Sequence, residues 1–88
     1  MDTRVALISI IVEQDDAIEE LNTLLHEARQ YIIGRMGIPY REKSMNIISI
    51  IVSADPGRIS ALSGRLGRIE GITSKAMQAQ VRPGPSPR

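Results

Sequence analysis

The stretch Ile8-Ser9-Ile10-Ile11-Val12 returns unchanged forty positions later as Ile48-Ser49-Ile50-Ile51-Val52. Both copies are dense in β-branched residues, which favour the pleated, half-buried surface of a strand. An aspartate follows each copy by three positions, Asp15 and Asp55, where a helix N-cap is expected, and Pro56 takes a first-turn position that loses nothing by lacking an N–H. Ile18, Leu21, Leu25 and Ala28 then repeat with spacings of three, four and three, as do Ile59, Leu62, Leu66 and Ile69. That is the period of a one-faced amphipathic helix. Strand, cap and stripe recur in one order, so the chain is built from two similar halves.

Between the halves, Tyr31 to Met36 is expected to form a strand, Gly37 to Lys43 a loop, and Met45 to Val52 the next strand. Beyond the second helix, Gly64, Gly67 and Gly71 are expected to break the helix and lead into a last strand at Ile72 to Gln78. The order β-α-β-β-α-β predicts an α+β, ferredoxin-like split βαβ fold, a four-stranded antiparallel sheet with both helices on one face. Residues 1–79 form this domain. Residues 80–88 hold three of the five prolines and no apolar period, so a disordered Pro-rich tail is expected there.

A sheet with one wet face alternates apolar and polar residues. These strands do not. Val5, Leu7 and Ile11 share one parity while Ala6, Ile8, Ile10 and Val12 share the other, and Ile47 and Ile51 oppose Ile48, Ile50 and Val52. An apolar second face predicts a cover, and another copy of the chain is the expected one, giving a homodimer or higher oligomer.

The 88 residues allow one domain with a small aliphatic core, since there is no Phe or Trp and only two tyrosines. The formal charge is +1, too little to draw in nucleic acid nonspecifically. RNA-recognition domains of this topology stack bases on aromatic residues of the central strands, and these strands carry Ser and Ile. Absence of cysteine excludes disulfides, thiolate metal sites and a cysteine nucleophile. Without a signal peptide or a membrane-length apolar run, a cytoplasmic location with no membrane partner is expected. His26 is the only histidine, so one chain alone does not assemble a usual metal shell, and no cofactor is expected; a site shared between subunits around His26 is the alternative. No G-x-S-x-G elbow or phosphate loop appears, and an enzyme is not expected.

Charge is unevenly distributed. Glu13 to Glu27 holds six carboxylates and no Lys or Arg, whereas Arg58 to Arg88 holds six basic residues and only Glu70 against them. The segment from Tyr31 to Lys43 combines Arg35, Tyr40, Arg41 and Lys43 with two glycines, and guanidinium forks beside exposed backbone N–H groups suit an anionic ligand or a partner's carboxylates.

The run Leu24-Leu-His-Glu-Ala-Arg-Gln-Tyr-Ile-Ile-Gly-Arg-Met-Gly-Ile-Pro-Tyr-Arg-Glu-Lys43, with Asn46-Ile-Ile-Ser-Ile50 and Leu62-Ser-Gly-Arg-Leu-Gly-Arg68, closely resembles the iron-only hydrogenase system regulator family over residues 4–78. That family is similar to the ACT-like C-terminal domain of nickel-responsive repressors. The resemblance implies an ACT-like fold, oligomer formation and a regulatory role. It does not carry over nickel binding or DNA reading, because the repressors' His/Cys site and ribbon-helix-helix segment have no counterpart in these residues. ACT-like domains place ligands beside the first strand-helix loop at a subunit boundary. The expected site for a small-molecule or protein ligand therefore joins Glu13, Asp15 and Asp16 with Arg35, Tyr40 and Arg41.

Overall fold

A computed structural model describes residues 3–79. Four strands and two helices follow the anticipated order: β1 (Arg4–Val12), α1 (Ile18–Glu27), β2 (Ile32–Tyr40), β3 (Met45–Ala54), α2 (Pro56–Gly67) and β4 (Ile72–Gln78). Short 3-10 turns occupy Asp15–Ala17, Arg29–Tyr31 and Arg41–Lys43. The strands lie in the order β2-β3-β1-β4, all neighbours antiparallel, which is the ferredoxin-like arrangement.

The duplicated pentapeptides are direct neighbours. Ile8 faces Ile50, Ile10 faces Ile48, and Ser9 faces Ser49 at the centre of the ladder. The flanking strands obey the same relation, since Ile72 pairs with Val12 as Ile32 pairs with Val52. A bulge between Ile32 and Gly34 then shifts β2 by one residue, so the halves part company there. Each of the three ladders joins a strand of the first half to a strand of the second.

One parity of the central strands makes the core. Ala6, Ile8, Ile10 and Val12 from β1 and Ile48, Ile50, Val52 and Ala54 from β3 are buried under Leu21, Leu24, Leu25, Ile59, Leu66 and Ile69 of the helical layer. Among the described residues every buried one is apolar. With no aromatic ring inside, close packing rests on branched aliphatic shapes, whose loss is felt methylene by methylene. Leu24, which the three-four-three stripe omitted, is buried, while Ile18 and Leu62 are only partly so. Facing helices accept a wider apolar sector than one line of residues.

Three local expectations are corrected. Asp55 does cap α2, its Oδ1 accepting from Arg58 N at 2.9 Å, but Asp15 caps nothing. The chain enters α1 through a 3-10 turn in which Ala17 N donates to Gln14 O, so the helix starts at Ile18 with no side-chain cap. The stretch Gly37 to Tyr40 belongs to β2 and not to a loop, because β2 is an edge strand and tolerates Pro39 without losing a central ladder bond. Gly64 lies inside α2, where an exposed glycine costs about 1 kcal/mol without ending the helix. Helix α2 ends at Gly67. The tail expected over 80–88 lies outside the described residues.

Gly71 fixes how the two ends of the fold meet. Its φ is +88°, and a Cβ there would sit 2.8 Å from Gln14 Cβ. Its carbonyl accepts from Glu13 N at 2.7 Å. Only glycine combines that backbone twist with so close an approach. The loop carrying Glu13 to Asp16 is thereby pinned to the turn before β4.

Candidate ligand groove and assembly face

Val12 pairs with Asn46, which pairs with Pro39, so the ends of β1 and β2 lie at one edge of the molecule. Glu13, Asp15 and Asp16 follow β1 there, and Tyr40 ends β2 there with Arg41 directly after it, all exposed. One strand intervenes, which sets the two groups about 10 Å apart at ordinary strand spacing. No ion pair links them among the described residues.

Arg35 is placed apart from both groups. It stands midway along β2 opposite Ile50, on the parity that faces the helices, and its Nη2 donates to Asn22 Oδ1 of α1 at 3.3 Å. The structure therefore brings Glu13, Asp15, Asp16, Tyr40 and Arg41 to one end of the sheet and puts Arg35 in a groove between β2 and α1.

That groove has two lobes. One, about 360 Å³, is lined by Asn22, Leu25, His26, Arg29, Ile32 and Arg35. The other, about 220 Å³, shares Asn22 and Arg35 and continues past Gly37, Pro39 and Asn46 over Ile18 and Ile48. The space exists because the β2 residues that follow Arg35 on the helix-facing parity are Gly37 and Pro39, which project little. A Cβ at Gly37 would meet only Ile48 Cγ1, at 3.8 Å. Asn22 and Arg29 were missed in the sequence; their spacing with Leu25 and His26, one helical stripe, was the available signal.

A second cleft, about 160 Å³, separates α1 from α2 over Leu24, Val52, Ala54 and Leu62. Its charges are already satisfied. Arg58 pairs with Asp55 at 3.1 Å and lies 4.9 Å from the Tyr31 ring centre, and Arg65 pairs with Glu27 at 3.3 Å. Among the described residues no group of three or more His, Cys, Asp or Glu converges as a metal site would require, and His26 has Arg29 and Arg35 as its groove neighbours.

Among the described residues, the opposite face of the sheet is largely apolar and uncovered. Leu7 faces Ile51 and Ile11 faces Ile47 across β1 and β3, with Met36 and Ile38 beside them on β2 and Met77 on β4. Ile47 and Ile51 are 40% and 41% exposed, Met36 60% and Met77 66%. A depression lies over Gly34, where β2 has no side chain to set against Ile51 and Leu7. Ser9, Ser49 and Lys75 form one polar row across the face. Among the described residues no helix is long and apolar enough to cross a membrane.

The comparisons with known proteins agree with this architecture. The structure of an uncharacterized protein, TM1266, from Thermotoga maritima is similar to this chain with a TM-score of 0.86 and 35% identity, over 90% of this chain and 100% of that one. No curated protein matches the chain. A family model, TM1266-like, described as "Iron-only hydrogenase system regulator, putative", matches residues 4–76. With the fold and that span in agreement, the chain belongs to the TM1266-like family.

Proposed function

We propose that the chain acts in regulation of an iron-only hydrogenase system as an oligomeric binding module, not as an enzyme, responding to a small molecule or a partner protein. The family description supports the regulatory role. One observation carries the oligomer: the helix-free sheet face is lined by Leu7, Ile11, Ile47, Ile51, Met36 and Ile38, and no other described residue lies over it. Four strands of nine residues or so make a platform of roughly 550 Å² at ordinary strand spacing and rise. With side-chain relief its accessible area approaches the ~800 Å² that each partner buries in a standard protein interface. The apolar patches on either side of the Ser9–Ser49–Lys75 row are of the kind that soluble monomers seldom leave exposed.

Contacts with proteins or small molecules, and not base readout, are the mode favoured by the surface. The central strands offer Ser9 and Ser49 where a nucleic-acid platform needs stacking rings. Multi-angle light scattering at micromolar concentration should give a dimer or larger species; a monomer would overturn the assembly. Deleting the gene in the native host should change hydrogenase activity or transcript level, and unchanged values would overturn the regulatory role.

A further inference from the structure

We propose that the groove between α1 and β2 is a binding site for a small organic anion bearing a phosphate or carboxylate group. The arginines of the two clefts are held differently. In the interhelical cleft Arg58 and Arg65 each meet a carboxylate, Asp55 and Glu27. In the groove the partners are neutral oxygens. Arg29 Nη1 donates to His26 O at 2.9 Å, and Arg35 Nη2 donates to Asn22 Oδ1 at 3.3 Å. Neither lobe of the groove is lined by an Asp or Glu. Two guanidiniums are thus steered toward one concavity by single bonds that leave most of their N–H donors and all of their charge available.

The rest of the lining fits a compact organic body on that charged head. Leu25 is buried and Ile32 half-buried at the floor of the basic lobe, while Asn22, Asn46 and Pro39 border the other. A few convergent polar groups around an apolar floor, at a few hundred Å³, is the usual make-up of a small-molecule site. The negative end of the α1 dipole opposes an anion here, and Arg29 answers it by donating to the His26 carbonyl in the last turn. Glu27, the nearest carboxylate in sequence, is turned to Arg65.

The site does not depend on the assembly reading, because the groove opens on the helical side of the sheet and the proposed interface on the other. The two are tested by different measurements.

The test is an amide-resolved NMR titration of the full chain at constant ionic strength, with glycerol 3-phosphate as the phosphate probe and succinate as the carboxylate probe. Saturable shifts confined to residues around 22–38, from either probe, are expected. Arg29→Ala and Arg35→Ala should each weaken binding at least tenfold, and Arg58→Ala should leave it unchanged. Gly37→Val, which narrows the lobe beside Arg35 without altering charge, should also weaken binding. All four positions are exposed, so the variants are expected to keep the wild-type spectrum outside the groove. Absence of saturation with both probes would overturn the proposal, as would equal binding by wild type and the Arg29→Ala/Arg35→Ala double variant.

Discussion

Replacing Gly71 with alanine tests the joint that holds the β1–α1 loop against the turn before β4. The new methyl group must adopt φ near +88°, which costs an L-residue about 1–2 kcal/mol. It would also stand 2.8 Å from Gln14 Cβ and Cγ, well inside the ~3.5–4.0 Å of a favourable carbon contact. Because Gln14 Cβ is fixed to the backbone, rotating that side chain does not clear the clash. The loop has to move, straining the 2.7 Å bond from Glu13 N to Gly71 O, and overpacking of this kind costs about 1–3 kcal/mol. Alanine lowers unfolded-chain entropy, which returns about 0.4–1 kcal/mol. The net expected loss is roughly 1–5 kcal/mol, centred near 3. At about 1 kcal/mol per molar urea for so small a domain, the unfolding midpoint should fall by ~1–5 M. Urea titration followed by circular dichroism at one fixed protein concentration measures this, since an oligomer's apparent stability varies with concentration. Adding Gln14→Gly to Gly71→Ala removes the atoms that collide and should recover ~1–3 kcal/mol by a double-mutant comparison. A loss below about 1 kcal/mol for Gly71→Ala, or no recovery in the double variant, would refute the reasoning.

Asp55→Ala removes a side-chain cap and should cost about 1 kcal/mol, whereas Asp15→Ala, which removes none, should stay within ~0.5 kcal/mol; paired denaturation curves compare them. Leu66 is fully buried, so Leu66→Ala should cost ~2–5 kcal/mol in the same assay, the spread depending on how far the helix settles into the cavity. Ile47→Asp combined with Ile51→Asp should leave secondary structure intact, because both side chains face outward, yet convert the oligomer seen by sedimentation velocity to monomer. An unchanged sedimentation coefficient would rule out that face as the interface.

The fold was legible because one signal repeated: Ile8 to Val12 and Ile48 to Val52, each with its aspartate and its apolar stripe, imposed strand, helix and order together. What the repeat concealed were the places where the halves differ. Asp15 and Asp55 read alike, yet a 3-10 turn rather than a carboxylate opens α1. Glycine and proline in Gly37-Ile38-Pro39 read as a loop, because sequence does not reveal that β2 lies at an edge, where proline is tolerated. The groove was half visible. Arg35 stood out through its company in the Tyr31 to Lys43 segment, but Asn22 and Arg29 carried only a helical spacing with Leu25 and His26 and acquire meaning when α1 crosses β2, a long-range packing event.

The pairing of strands only between halves has a consequence for how the chain behaves when cut. Neither β1-α1-β2 nor β3-α2-β4 contains a ladder of its own, so a break in the Arg41 to Ser44 connection would leave two pieces that each lack a sheet. Mixed in equal amounts, the pieces have every main-chain partner they need in one another, and fragment complementation should restore the domain. Two intact chains could satisfy the same ladders by trading halves, and a connection as short as Arg41 to Ser44 favours such exchange.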